Sequence, residues 1–199
     1  MVILEIKRQK KGKLLVRTDE VGTFPIYEKE AAAFHIEEGA ELAEGEWERL
    51  CTEILSKRAK KRALHLLEQM DRTEFQLRQK LKGDHYPDFL VDEAVEYVKS
   101  YHYIDDLRYA ESYLRYQQEK KSRLQMKNTL LKRGVPADLI DQAFEEEYVA
   151  DEGELIARIL EKRGYDPEKA GPDEKRRTYQ YLLRRGFSVS EIRRCMDLT

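Results

Sequence analysis

Two adjacent carboxylates, Asp105 and Asp106, stand near the head of the stretch YIDDLRYAESYLR, Tyr103 to Arg115. Paired acids of this kind can move a proton, hold a metal ion or start a helix. General acid–base work needs a water-poor cleft and a perturbed pKa. The sequence supplies no companion set for it. His35, His65, His85 and His102 form no HExxH pattern, so a zinc site is not expected. Cys51 and Cys195 lie outside any CxxC motif and suit two structural thiols in a reducing compartment. There is no Walker A loop, no GxGxxG and no GxSxG elbow. The expectation is therefore no catalytic residue, no metal and no cofactor.

The helix-start reading accounts for both acids. With Asp105 at the N-cap, Leu107, Ala110, Tyr113 or Leu114, and Gln117 follow at helical spacing. Asp106 then occupies the first helical position, where a negative charge favours the helix dipole.

The elements around this pair are mostly helical. The chain has 199 residues, 38% charged and 41% apolar, with only 10 glycines and 5 prolines. That profile fits one or two helical domains with a real core rather than a sandwich or a disordered tail. No apolar run approaches the length of a membrane span. The N-terminus starts apolar and then turns basic, the reverse of a signal peptide, so a cytoplasmic protein is expected.

Residues 1–45 differ from the rest. Val2, Leu4 and Ile6 alternate with Ile3, Glu5 and Lys7. Turns at KKG and near Gly22 then separate KLLVRT and TFPIY, predicting a three-strand meander with Pro25 on an edge or at a bend. EKEAAAFHIEEG is expected to form a short helix stopped by Gly39. Trp47, the one tryptophan, is expected to anchor the junction between meander and helices.

The remainder repeats. PDFLVDEAV, PADLIDQAF and SVSEIRRCM align through Val91, Ile140 and Ile192. Each follows a glycine stop: Gly83, Gly134 and Gly186. The first copy is two residues longer between stop and aliphatic. Thr73 with Gln76, and Ser122 with Gln125, fit capping boxes, and Pro172-Asp173 takes that role in the third copy. Pro87, Pro136 and Ser188 suit the start of each closing helix.

The fold expected is mainly α: three tandem three-helix repeats forming an elongated curved array, with a small N-terminal β-meander and helix extension. The segments are 1–45 for the extension, 46–100 for a linker helix and repeat 1, 101–148 for repeat 2 and 149–199 for repeat 3.

Net charge is only −2, but it is unevenly spread. Leu107 to Gly134 carries eight bases against Glu111 and Glu119, a net of +6, whereas Asp138 to Glu154 carries eight acids and no base. Such blocks mark either a charged partner surface or solvated helix faces that balance one another. Lys120, Lys121, Arg123 and Lys127 fall near a helix start, where bases oppose the dipole, so a partner is one reason for them. Arg133, Arg184 and Arg185 sit beside helix stops, where bases are also expected for helix stability alone. Arg108 and Arg115 share a face with Tyr109 or its neighbour. All nine are candidate partner-binding residues. KRAKKR, Lys57 to Arg62, is either a nucleic-acid contact or a solvated face. The 12 tyrosines fall mostly at core-like spacing.

The segment YIDDLRYA, carrying Tyr103, Asp105, Asp106 and Tyr109, resembles the hallmark of the RecX regulatory proteins, modulators of the RecA recombinase. His102 stands where that family usually has glycine. ALHLLEQMDRTEFQLRQKL resembles the family's first repeat, LLKRGVPADLIDQAF the end of its second and YLLRRGFSVSEIRRCM its third. The resemblance covers about Ala59 to the C-terminus. It implies a monomeric, non-enzymatic protein that binds RecA, as monomer and as filament on single-stranded DNA. It also implies inhibition of ATPase, strand-exchange and co-protease activity. Weak contact with single- or double-stranded DNA is left open by the +6 segment. The rival reading is a direct DNA-binding protein built from helix-turn-helix-like units.

Overall fold

The computed structural model describes residues 1–198. Its first layer follows from alternation. Strands β1 (Ile3–Arg8), β2 (Lys13–Thr18) and β3 (Thr23–Tyr27) form an antiparallel sheet in the order β1-β2-β3. Leu14 lies opposite Ile26 and Val16 opposite Phe24, so these four turn one buried face to the core. In β1 the alternation is broken. A bulge between Ile3 and Glu5 shifts the register, so Ile3 is buried and Ile6 half-buried on the inner side, while Leu4 is exposed. Pro25 is on the edge strand β3, as a residue lacking a backbone N–H should be.

Helix α1 spans Glu28–Ala33, shorter than its sequence suggests. The stop is His35, at φ 51, and the Ile36 N–H folds back onto the Ala31 carbonyl at 2.9 Å. Gly39, at φ 79, turns the chain only later. Helix α2 (Glu44–Leu50) passes through a π-helical turn, Cys51–Leu55, into α3 (Ser56–Gln69). Trp47 lies 5.0 Å from the Phe24 ring and edge-on to Phe89 at 6.3 Å. Phe89 belongs to α5 (Asp88–Ser100), so Trp47 ties the sheet to the first repeat as expected. The sheet, α1, α2 and the first repeat share one core, which includes Phe24, Leu50, Leu55, Leu77 and Val91. They form the first of two compact units, Met1–Asp105.

The repeats are α3, α4 (Glu74–Gly83) and α5; α6 (Asp106–Gln117), α7 (Arg123–Lys132) and α8 (Ala137–Glu147); and α9 (Glu152–Lys162), α10 (Pro172–Arg184) and α11 (Val189–Cys195). The second unit begins at Asp106 and holds repeats 2 and 3, each with its own cluster of buried side chains.

Capping is uneven. Thr73 makes the full box: its Oγ1 accepts the Gln76 N–H at 3.2 Å and Gln76 Oε1 accepts the Thr73 N–H at 3.3 Å. At Ser122 only half forms, with Oγ accepting the Gln125 N–H at 3.2 Å. In the third copy Gly171 is the N-cap, and Pro172 is the first helical residue, where its missing N–H costs nothing.

The stops are uniform. A left-handed residue follows each middle helix: His85 at φ 68, Gly134 at φ 81 and Gly186 at φ 79. The next N–H returns to the carbonyl five residues back: Tyr86 to Leu81, Val135 to Leu130 and Phe187 to Leu182, at 3.1 to 3.3 Å. Gly83 is therefore not the stop of the first copy, because it lies inside α4. Counted from His85, six residues reach Val91, as six separate Gly134 from Ile140 and Gly186 from Ile192. The two extra residues in the first copy vanish, and the register is the same in all three.

A β-carbon in the left-handed region costs about 1 kcal/mol or somewhat more. Replacing His85 by glycine should raise the urea midpoint, with a gain of up to about 1 kcal/mol after the greater freedom of glycine in the unfolded chain is subtracted. A midpoint that falls would show that the imidazole contributes more than the backbone costs.

Candidate functional site

The α6–α7 turn is where the predicted bases gather. Helix α6 begins at Asp106, with Asp105 immediately before it, as the helix-start reading requires. Ala110, Tyr113 and Leu114 bury its inner stripe. After Gln117 the chain turns, and the Lys120 and Lys121 N–H groups both donate to the Gln117 carbonyl at 2.9 Å. Helix α7 then starts at the fully buried Ser122 cap.

This turn, one face of α7 and the end of α10 enclose an open groove of about 620 Å³. Its cations are Lys120, Lys121, Lys132 and Arg185, and no carboxylate lines it. Gln125, Asn128, Thr129 and Lys132 form the α7 wall at spacings of three and four residues. The Lys121 ammonium donates to the Tyr113 hydroxyl at 2.9 Å. Lys120 and Lys132 are exposed, and neither is paired with an acid among the described residues. With amides, one hydroxyl and four cations, the groove can bind acceptor oxygens. It holds no carboxylate, imidazole or thiol for proton transfer or nucleophilic attack.

Two repeats build this groove together. Ser122 Oγ donates to the Arg185 carbonyl at 2.5 Å while accepting the Gln125 N–H. The Arg185 guanidinium reaches the Lys120 carbonyl at 2.9 Å and the Tyr181 hydroxyl at 3.1 Å. Glu152, the first residue of α9, accepts the Arg123 N–H at 2.7 Å. That carboxylate lies at the positive end of α7, so repeat 3 itself offsets the bases that crowd this helix start.

The remaining predicted residues go elsewhere. Arg115 makes a two-point ion pair with Glu147, at 2.7 and 3.1 Å, and Lys127 pairs with Asp141 at 2.5 Å. These pairs join the basic and acidic blocks across repeat 2, so part of that charge is internally balanced. The Arg123 guanidinium lies over Phe144 at 4.8 Å and Tyr148 at 5.4 Å. Arg133 donates to the Tyr109 hydroxyl at 2.6 Å and covers Tyr113 at 4.8 Å. Arg108 and Arg184 are exposed outside the groove. Tyr103 is 55% exposed, although it too follows a left-handed residue, His102 at φ 58. Its ring lies 6.3 Å from Tyr101, which lies 5.1 Å from Tyr97. Lys132 and the polar residues of α7 were missed in the sequence, although their helical spacing is the signal that marks them.

Known proteins share this architecture. Over 196 residues the chain is 32% identical to the regulatory protein RecX of Caldanaerobacter subterraneus subsp. tengcongensis, covering 98% of this chain and 97% of that protein. The chain belongs to the RecX family. Models of the first, second and third three-helix domains of RecX match residues 59–97, 105–143 and 150–196. A crystal structure of a regulatory protein RecX superposes with a TM-score of 0.66 at 27% identity, covering 98% of both chains. The crystal structure of RecX from Lactobacillus salivarius gives 0.61 at 23% identity over 72% of this chain and 97% of that one, which bears on the fold alone. The role is therefore that of a RecX regulatory protein. Among the described residues no helix is long and apolar enough to cross a membrane.

The Ser122 joint predicts two costs. Ser122→Ala removes a helix cap and leaves the Arg185 carbonyl unpaired, for a loss of about 2 kcal/mol. Gly186→Ala sets a β-carbon at positive φ, 3.0 Å from Ser122 Oγ and 3.2 Å from Leu124 Cβ, for a loss of about 1–2 kcal/mol. Urea denaturation of both variants checks these values. Changes under about 0.5 kcal/mol, the usual range of surface substitutions, would mean the joint does not hold the repeats.

Proposed function

We propose that this RecX-family chain binds a RecA recombinase, as monomer and as filament on single-stranded DNA, and holds down its ATPase, strand-exchange and co-protease activities. It acts in the cytoplasm as a non-catalytic regulator of recombination and DNA repair. The family assignment supports the target. The observation that carries the reading to a surface is the groove between α7 and α10, whose four cations face no carboxylate in its lining. Unbalanced charge of this kind suits an acidic protein surface and steers its approach.

The mechanism is differential binding. A regulator shifts a filament toward its inactive or disassembling state only by the difference in its affinity for the two states. The nine candidate bases do not contribute alike. Lys120 and Arg185, together with Lys132, form the contact surface, and Lys121 joins it from its seat on Tyr113. Arg115, Lys127, Arg123 and Arg133 maintain the repeat that presents them.

Direct DNA binding is the second reading, since the same four cations could take phosphates. The chain's net charge of −2 weighs against tight binding by the whole protein.

The test is RecA-driven ATP hydrolysis on single-stranded DNA with this protein titrated in. The wild-type chain should inhibit at micromolar concentration. Lys120→Glu with Lys132→Glu should need at least about tenfold more protein for half-inhibition, a loss of about 1.4 kcal/mol, with unchanged helicity. Full inhibition by the double variant removes the groove from the contact. Absence of inhibition by the wild type, with steeply salt-dependent binding to bare DNA, selects the second reading.

A further inference from the structure

The basic run Lys57 to Arg62 is unused by the groove. Its residues divide around α3. Lys60 turns to Glu93, at 2.7 Å, and to the Tyr97 ring. Arg58, Lys61 and Arg62 turn the other way, toward the sheet, and line a concave pocket of about 420 Å³ within the first unit. Lys13 at the start of β2 and His65 one turn along α3 add to its rim. Five nitrogen-bearing side chains thus surround one carboxylate, Asp84, and Asp84 is already paired with Arg62 Nε at 2.7 Å.

The two guanidinium groups are held in place. Arg58 pairs with Glu30, donates to the Pro25 carbonyl at 3.4 Å and lies 4.8 Å over the Tyr27 ring. Arg62 donates through Nε to Asp84 at 2.7 Å. Lys13 and Lys61 make no ion pair among the described residues. The floor includes Tyr86, only 7% exposed, whose backbone is fixed by the stop that follows α4. Burial pushes the pKa of this phenol up to about 12, so it stays a donor at neutral pH. The phenol thus adds a donor to a lining that is already rich in them.

The unspent groups are donors: ammonium groups, guanidinium edges and a phenol. Phosphate oxygens are acceptors, and several converging charge-assisted donors suit them. Its volume falls within the range of small-molecule pockets. Pro25 and the partly exposed Tyr27 ring supply an apolar wall beside the charges.

We propose that this pocket binds a nucleoside phosphate, with its phosphate taken by Lys13, Lys61 and the Tyr86 hydroxyl and its base set against Pro25 and Tyr27. The same chemistry can arrive as a free nucleotide or as the phosphorylated end of a nucleic-acid strand.

Titration calorimetry of the full chain with ADP, pyrophosphate, adenosine and a 5′-phosphorylated oligothymidine tests the proposal without any recombinase. ADP should saturate one site below about 1 mM, pyrophosphate should compete and adenosine should not bind. Lys13→Ala with Lys61→Ala should weaken ADP at least tenfold, and Tyr86→Phe several-fold, with unchanged circular dichroism. ADP binding as tightly as the oligonucleotide identifies a free nucleotide. A tenfold preference for the oligonucleotide that disappears without its 5′-phosphate identifies a strand end. Either supports the assignment. No saturable heat from ADP, pyrophosphate or the oligonucleotide at millimolar concentration overturns it, as does binding that the lysine variants leave unchanged. An acidic peptide that binds where none of the phosphates does would also overturn it and mark the pocket as a protein contact.

Discussion

The chain's helical part depends on one backbone constraint: a left-handed residue placed six positions before a buried aliphatic. His85, Gly134 and Gly186 each reverse the chain after a middle helix, and Val91, Ile140 and Ile192 then enter the core of the following one. The return bonds to Leu81, Leu130 and Leu182 satisfy carbonyls that the helix end leaves open. They also press Tyr86, Val135 and Phe187 onto the helix they have just left. A side chain before the reversal and one after it are thereby fixed relative to each other. That is why Arg185 sits beside the α7 cap, and why Tyr86 sits beneath the pocket of the first unit.

Charge does two different jobs on this frame. Arg115, Lys127 and Arg123 spend theirs within repeat 2, against Glu147, Asp141 and the rings of Phe144 and Tyr148. Exposed ion pairs of this sort add little stability and hold orientation more than they hold the fold. Lys120 and Lys132 are exposed in the groove, and Arg185, held by the Lys120 carbonyl and the Tyr181 hydroxyl, meets no carboxylate in its lining. The contrast follows from position: the first group projects toward α8, which is rich in acids, and the second toward a face of α7 with none.

Much of this was legible in the sequence because punctuation and apolar period coincide. The caps at Thr73 and Ser122, the stops at Gly134 and Gly186, and the start of α6 at Asp105 and Asp106 all follow from local chemistry. The stop of the first copy did not, because histidine is a poor marker of a left-handed residue and the nearby Gly83 drew the assignment. The inner face of β1 was hidden for a similar reason. A bulge between Ile3 and Glu5 leaves no mark in an alternating pattern. The candidate site was only partly legible. Clustering in sequence brought Lys120 and Lys121 forward but could not separate them from Arg123 or Lys127, whose partners come from α8. Lys132 lies two helical turns along α7 from Gln125 and shares a face with it, with Asn128 and with Thr129, a grouping that the groove makes evident and the charge count does not.

The joint between repeats 2 and 3 has a consequence for how such a chain can grow. Each of these repeats closes its own cluster of buried side chains, and the bonds that join them end largely on backbone groups: the Arg185 and Lys120 carbonyls and the Arg123 N–H. Backbone groups are present whatever the side chains are. A duplicated repeat therefore carries part of its docking surface in its backbone, and a hydroxyl at the cap, an arginine at the stop and an acid at the next helix start complete these bonds. Three substitutions are a short evolutionary path. An apolar interface would instead demand that two sets of side chains change shape in step.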